Sequence, residues 1–169
     1  MYNFNKILYV ALACVALVAV GTSASNYVLF QQYSDHQCAS GNVIYGAYTR
    51  VGLCDSKAIL SCNGTKVVLA DYEAADCSGT PINTSTFNQN ECQTGVTFQC
   101  VDNVAVPAGN LATSTFTEAA CGGSAATTKY FKSNWCFGGS LISCNATAET
   151  VQYFNNTDCS GLAEDPILF

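Results

Sequence analysis

Residues 48–79 read YTRVGLCDSKAILSCNGTKVVLADYEAADCSG, and they align without a gap with residues 130–161, which read YFKSNWCFGGSLISCNATAETVQYFNNTDCSG. The two stretches share three cysteines at the same spacing, the Ser and the Asn that flank the second of them, and the closing Asp-Cys-Ser-Gly. In both stretches, short runs of Val, Leu, Ile, Phe, Tyr and Thr are bounded by turn residues, a pattern typical of β-strands. The repeat therefore predicts an all-β fold.

The cysteines extend this repeat over most of the chain. From Cys38 onward, successive cysteines are 16, 8, 15, 15, 8, 21, 15, 8 and 15 residues apart. The series indicates a unit of about 40 residues with three cysteines. A single domain over residues 26–169 is predicted to contain three units and a partial fourth copy, with approximate bounds 26–66, 67–110, 111–148 and 149–169. Such units suit a pseudo-threefold barrel or prism, or a short stacked β array.

Each copy starts with what we call an opening segment, an apolar stretch with an aromatic residue five positions before a cysteine. The four pairs of aromatic residue and cysteine are Tyr33 and Cys38, Tyr72 and Cys77, Phe116 and Cys121, and Phe154 and Cys159. The other cysteines bound three hairpin segments, namely Cys54–Cys62, Cys92–Cys100 and Cys136–Cys144. There are thus four opening segments but only three hairpin segments, so one opening segment lacks a hairpin segment to pair with. We expect it to be the first. It closes the structure beside the last unit, adds to an exposed edge of the next molecule and forms head-to-tail polymers, or is disordered.

The predicted turns restrict the disulfides. If Ser56 and Lys57 form a two-residue hairpin turn, Cys54 lies opposite Ile59. Cys62 is three residues further along the strand, so its side chain points to the other face of the sheet. A Cys54–Cys62 disulfide is therefore excluded, and the same argument excludes Cys136–Cys144.

The first 25 residues predict a secretory signal peptide. Lys6 precedes an uninterrupted apolar run from Ile7 to Val20, and small residues follow up to a cleavage point after Ala24 or Ser25. The run is shorter than the roughly 20 residues of a membrane-spanning helix, so no membrane span is expected after cleavage. The mature protein is expected to be secreted, and it could remain associated with a cell surface or wall.

Cleavage also removes Cys14 and leaves an even number of cysteines. In an oxidising compartment these are predicted to form up to five disulfides. The ten residues are Cys38, Cys54, Cys62, Cys77, Cys92, Cys100, Cys121, Cys136, Cys144 and Cys159.

Four sequons for N-glycosylation also indicate an extracellular glycoprotein. They begin at Asn63, Asn83, Asn145 and Asn155. Asn63 and Asn145 occupy equivalent positions in the repeat and are expected to be the occupied sites.

The composition argues against several functions. Six basic residues against twelve acidic ones, with a net charge of −6, do not suit a nucleic-acid binder. His36 is the only histidine, and it is interpreted as a surface residue. The acidic residues Asp71, Glu73 and Asp76 are interpreted as a solvated face, not as a catalytic or calcium site. No enzymatic activity, metal or cofactor is expected.

Aromatic residues offer one candidate binding residue. Trp135 directly precedes Cys136, where the other units have Leu53 and Glu91, and a flat aromatic ring can stack against a sugar. Trp135 either packs against a disulfide or contacts a ligand.

Together these features predict a secreted, glycosylated, non-enzymatic protein with a structural or adhesive extracellular role, and with self-assembly as one form of that role. The alternative is a soluble glycan-binding lectin. The expected partners are extracellular glycoproteins, glycans or further copies of the chain.

Overall fold

The computed structural model describes residues 26–118, 121, 123–144 and 149–168, so the predicted signal peptide lies outside the described residues. These residues contain no α-helix, which confirms the all-β prediction. No helix among them is long and apolar enough to cross a membrane. The strands found are β1 (Tyr27–Tyr33), β2 (Val43–Arg50), β3 (Cys54–Asp55), β4 (Ala58–Asn63), β5 (Lys66–Asp71), β6 (Asn83–Asn88), β7 (Val96–Val101), β8 (Asn110–Phe116), β9 (Ala125–Lys132), β10 (Trp135–Phe137), β11 (Ser140–Cys144), β12 (Glu149–Tyr153) and β13 (Ile167–Leu168).

The strands form three antiparallel sheets. The central sheet has the order β7-β1-β2-β9-β8. The first flanking sheet has the order β3-β4-β5-β6, and the second flanking sheet has the order β10-β11-β12-β13. Each flanking sheet follows directly in the chain from an inner strand of the central sheet, the first from β2 and the second from β9.

The two halves of the chain repeat the same topology. Leu29 pairs with Tyr48 in the first half, and Ala112 pairs with Tyr130 in the second. Both pairs of strands have an irregularity in register just before the aromatic residue of the opening segment. Because β2 and β9 lie side by side and antiparallel, an approximate twofold axis between them relates the halves. The predicted threefold or stacked arrangement of units is not confirmed.

The pairing of strand β7 explains why the units are not arranged as predicted. It comes from the second hairpin segment, yet it pairs along the whole of β1, from Tyr27 opposite Val101 to Gln32 opposite Val96. The first opening segment therefore has a partner, and the prediction that it is the one in excess is wrong. The segment in excess is the third, β8, at the edge of the central sheet. The order of segments along the chain did not reveal a pairing between strands so distant in sequence.

The hairpin turns agree with the sequence. Ser56 and Lys57 have φ angles of 51° and 73°, as a type I′ turn requires, and Cys54 lies opposite Ile59 as predicted. The two central turn residues of the other hairpin segments also have positive φ angles; they are Thr94 and Gly95, and Gly138 and Gly139. The three hairpin segments thus share one turn geometry.

Four disulfides cross-link these elements: Cys38–Cys92, Cys54–Cys77, Cys62–Cys100 and Cys136–Cys159. None joins the two cysteines of one hairpin segment, in agreement with the exclusion of such bonds. Cys62–Cys100 links the first flanking sheet to the central sheet, since it connects β4 to β7.

Cys121 corrects the prediction that all ten mature cysteines form disulfides, because its thiol is exposed and unbonded. The other three opening-segment cysteines each bond to the first cysteine of a hairpin segment. Four such cysteines compete for only three partners, and Cys121 is the one left over. The side chain of Cys144 lies outside the described residues.

The core lies on one face of the central sheet. Tyr27, Leu29, Tyr48 and Tyr130 form a buried cluster there. Residues 102–109, which we call the crossover loop, connect the two edge strands β7 and β8. Val104 and Val106 of this loop pack against the cluster, so the loop covers this face of the sheet.

The other face carries a line of aromatic rings that runs through all three sheets. It starts with Phe87 of β6, stacked on Phe98 at 4.2 Å between ring centroids, and ends with Phe137 of β10. Neighbouring rings in the line have centroids 4.2 to 6.0 Å apart, in the order Phe87, Phe98, Phe30, Tyr45, Phe131 and Phe137. Such contacts stabilise the packing of both flanking sheets on the central sheet.

Candidate functional site

A cavity of about 500 Å³ opens where the crossover loop leaves β7. Its lining is mainly polar and comes from four strands and two loops: Asn26, Tyr27, Arg50, Asp102, Asn103, Val104, Ser114, Ser124, Ala125 and Thr128. The residues lie far apart in sequence, and only the pairing of β1, β2, β9 and β8 brings them together. We call this cavity the polar cleft.

Hydrogen bonds hold the walls of the polar cleft in place. The side-chain amide of Asn26 donates to the carbonyl oxygen of Asp102 at 3.0 Å. The hydroxyl of Tyr27 donates to the carbonyl oxygen of Ala125 at 3.3 Å. The crossover loop and the start of β9 are thereby tied to the first strand of the sheet.

Arg50 is the cation of the polar cleft. It ends β2 opposite Tyr27, its side chain is exposed, and it forms no ion pair with a described residue. Asp102 is the acidic residue among the described residues that line the cleft. An exposed guanidinium with several amides and hydroxyls suits the recognition of a small polar molecule such as a sugar.

Sequence reasoning did not find the polar cleft. Arg50 and Asp102 lie 52 positions apart, and neither belongs to a recognisable motif. The one sign in the sequence is that Arg50 is one of only six basic residues in an acidic chain. The scarcity of basic residues does not predict which surface of the fold Arg50 lies on.

Trp135, the predicted ligand-binding residue, lies elsewhere. It starts β10 opposite Ile142 and is half-buried. The ammonium group of Lys132 stands 5.5 Å from the centre of its ring, a cation–π geometry. The Lys132 ammonium also lies 3.5 Å from the carbonyl oxygen of Gly41. The structure does not bring Trp135 to the polar cleft, and its role in ligand binding stays a prediction.

Three predicted glycosylation sites lie among the described residues. Asn63, Asn83 and Asn155 are all exposed. The side-chain amide of Asn83 donates to the carboxylate of Asp71 at 3.1 Å. Asn145 lies outside the described residues. Occupancy of these sites stays a prediction.

The acidic residues near β5 act in local structure. Asp71 accepts the hydrogen bond from Asn83, and Asp76 accepts one from the backbone N–H of Ser78 at 3.0 Å. Hydrogen bonds from the side chain and the backbone of Ser78 lower the pKa of Asp76. His36 is exposed, as expected. Among the described residues, no group of three or more His, Cys, Asp or Glu side chains has a geometry that could hold a metal ion.

Three tyrosines of the central sheet have raised pKa values. Burial raises the pKa of Tyr48, although a hydrogen bond to Ala105 opposes the shift. Burial also raises the pKa of Tyr130, against a hydrogen bond from Gln31, and that of Tyr45. Tyr48 and Tyr130 belong to the buried cluster and Tyr45 to the aromatic line, and in both places burial disfavours the charged phenolate.

Comparison with known proteins gives one match. Neither a curated protein nor a solved structure matches the chain. The sequence model of the counting factor-associated protein A/B/C family matches residues 3–166. This match spans nearly the whole chain, and the protein therefore belongs to the counting factor-associated protein A/B/C family.

Proposed function

We propose that this protein is a secreted, non-enzymatic component of an extracellular assembly and that it acts by binding to a counting factor. The observation that carries the proposal is the family match, whose description names association with a counting factor. A structural or adhesive role is consistent with that description.

The disulfides support the extracellular part of the proposal. Four of them join strands and turns in a chain of 169 residues. Disulfides of this density are typical of secreted domains, because the cytosol keeps thiols reduced. The three exposed sequon asparagines support N-glycosylation, since the transferase needs an accessible site.

The test is secretion and co-purification. The tagged chain is expressed in cells that release the counting factor, and the conditioned medium is analysed by mass spectrometry. We expect a mature protein that starts at Ser25 or Asn26, loses mass on removal of N-glycans, and co-purifies with identified counting factor components. The matched control is Leu12→Asp/Leu17→Asp, which interrupts the apolar run and should keep the protein out of the medium. A protein that retains Met1, or that co-purifies without counting factor, would contradict the proposal.

Glycan binding is the second candidate function, and the polar cleft is the observation that favours it. Its amides, hydroxyls and exposed guanidinium are groups that recognise sugars. Saturable binding on a glycan array should weaken in Arg50→Ala and persist in Lys66→Ala, an exposed cation outside the cleft. Trp135→Ala tests the other predicted contact. Binding that both cleft and control variants retain would rule out the cleft.

A further inference from the structure

Three of the four opening segments have a hairpin strand along one edge: β7 lies beside β1, β4 beside β5, and β11 beside β12. In each, the N–H of the aromatic residue donates at 2.8 Å to the carbonyl of the second turn residue of the hairpin. The three bonds run from Tyr33 to Gly95, from Tyr72 to Lys57, and from Phe154 to Gly139. The hairpin strand is thus a regular part of the repeat.

A disulfide accompanies the strand each time. Cys38, Cys77 and Cys159 have φ angles of 53°, 56° and 57°, and each is 5.8 Å from its bonded partner between Cα atoms. Cys121 has the same left-handed conformation, with φ of 58°, and yet it is unbonded and exposed. A cysteine rarely adopts this conformation, so the third opening segment has the same local geometry as the other three, which hold a hairpin.

The third opening segment, β8, lacks the hairpin strand. No described strand pairs with its outer edge. Residues 112–115 are all exposed, whereas among their equivalents in β1 Leu29 is buried and Phe30 and Gln31 are half-buried. An unpaired edge leaves backbone N–H and C=O groups open to a further strand.

From these observations we infer that the free edge of β8 binds a β-hairpin of a partner protein. The hairpin has two cysteines eight positions apart, as Cys92 and Cys100 are, and the first of them forms a disulfide with Cys121. The mode is strand addition to an exposed sheet edge. This inference rests on the proposed function, in that the partner is an extracellular protein.

Copies of this sequence cannot supply the hairpin to one another. Each has four opening segments and three hairpin segments, so any exchange among copies leaves one opening segment per chain unfilled. The occupant is therefore a different protein.

The twofold relation gives the register of the docked strand. Leu29 and Gln31 lie opposite Gln99 and Thr97 of β7, and their equivalents on β8 are Ala112 and Ser114. The partner strand therefore runs antiparallel to β8. Cys144 of β11 pairs with Glu149 as Cys62 of β4 pairs with Val67, so it holds the position of the cysteine that bonds to Cys100 and is the expected partner of the second cysteine.

The covalent step is thiol–disulfide exchange with a small-molecule disulfide such as oxidised glutathione. For each protein disulfide, two thiols give up two protons and two electrons. The S–S bond of one oxidised glutathione breaks, and two molecules of reduced glutathione leave.

The probe is a synthetic peptide with the sequence of residues 91–102, ECQTGVTFQCVD. The secreted full chain is incubated with it in a glutathione redox buffer. We expect the mass of one peptide to be added, with the first peptide cysteine mapped to Cys121 and the second to Cys144. Ala112→Pro removes an outward N–H that β9 does not use, so it should abolish the adduct and leave the four disulfides intact. Ala112→Val is the matched control and should retain the adduct.

Several results would overturn the inference. One is the absence of an adduct; another is an adduct that Ala112→Pro leaves unchanged, since the thiol would then react without strand pairing. Bonds to Cys38 or Cys62 would show that the peptide replaces β7, and a Cys121–Cys121 dimer would show self-association.

If counting factor co-purifies equally with wild type and Ala112→Pro, the inference fails and the proposed function stands. If the peptide docks and counting factor does not co-purify, the proposed function fails and the strand-binding edge stands.

Discussion

The hydroxyl of Tyr48 donates a hydrogen bond to the carbonyl oxygen of Ala105 at 2.7 Å and so ties the middle strand of the central sheet to the crossover loop. Tyr48 is only 4% exposed. The loop connects the two edge strands, and this bond fixes its middle over the buried tyrosine cluster. The position of the polar cleft depends on the same contact, because Asp102 to Val104 form part of its wall.

Tyr48→Phe should lower the free energy of unfolding by about 1 kcal/mol, the usual effect of losing one such hydrogen bond. Urea denaturation measures the change. Tyr45→Phe is the control, since Tyr45 is half-buried in the aromatic line and its hydroxyl has no hydrogen bond to a described residue. Equal losses in the two variants would mean that the bond to Ala105 does not hold the loop.

Alkaline pH should destabilise the fold through Tyr48 and Tyr130. Burial raises both pKa values in the folded protein above the ordinary value of about 10. The stabilisation is fully present below the unfolded pKa and is lost as pH rises through the folded pKa. A spectrophotometric titration of phenolate, together with denaturation below and above that range, measures it. Ionisation of every tyrosine at its ordinary pKa, without loss of stability, would contradict the prediction.

Gly46→Ala should lower the free energy of unfolding by roughly 1 to 3 kcal/mol, because a methyl group at this position would overlap the ring of Tyr130 on the neighbouring strand. The double variant Gly46→Ala/Tyr130→Leu removes that ring and should be more stable than the sum of the single changes indicates. Strict additivity would mean that the two residues do not restrict each other. Thermal or urea unfolding of the four proteins completes the cycle.

Cys62→Ala/Cys100→Ala should cost about 4 kcal/mol, the chain-entropy value for the 38-residue separation that this bond closes. Cys121→Ser is the control and should leave the unfolding midpoint unchanged, since that thiol is exposed and unbonded. If Cys121→Ser is as damaging, the thiol has a bond in the native protein that the isolated chain lacks.

The local structure could be predicted from the sequence. The two-residue turn at Ser56 and Lys57 fixes the register that puts Cys54 opposite Ile59, and both can be read from neighbouring residues. The all-β class follows from short apolar runs between turn residues. These features depend on contacts within about ten positions.

The arrangement of the sheets was not predictable in the same way. Nothing near Val96 or Val101 indicates that β7 leaves its own unit and pairs with β1. Repeated segments have similar edges, so the choice among them depends on the burial of Val28 and Leu29 in the complete fold. The polar cleft was missed for the same reason, since its residues meet only after the central sheet has formed.

The pairing of β1 with β7 also sets an order of events during synthesis. Cys38 emerges before Cys54, Cys62 and Cys77, yet its partner Cys92 is 54 residues away and emerges after all of them. The Cys54–Cys77 bond can close while the chain is still growing, whereas Cys38 and Cys62 must stay reduced or exchange provisional partners until β7 arrives. We therefore expect the N-terminal half to mature late, and a thiol–disulfide isomerase to speed its oxidative folding.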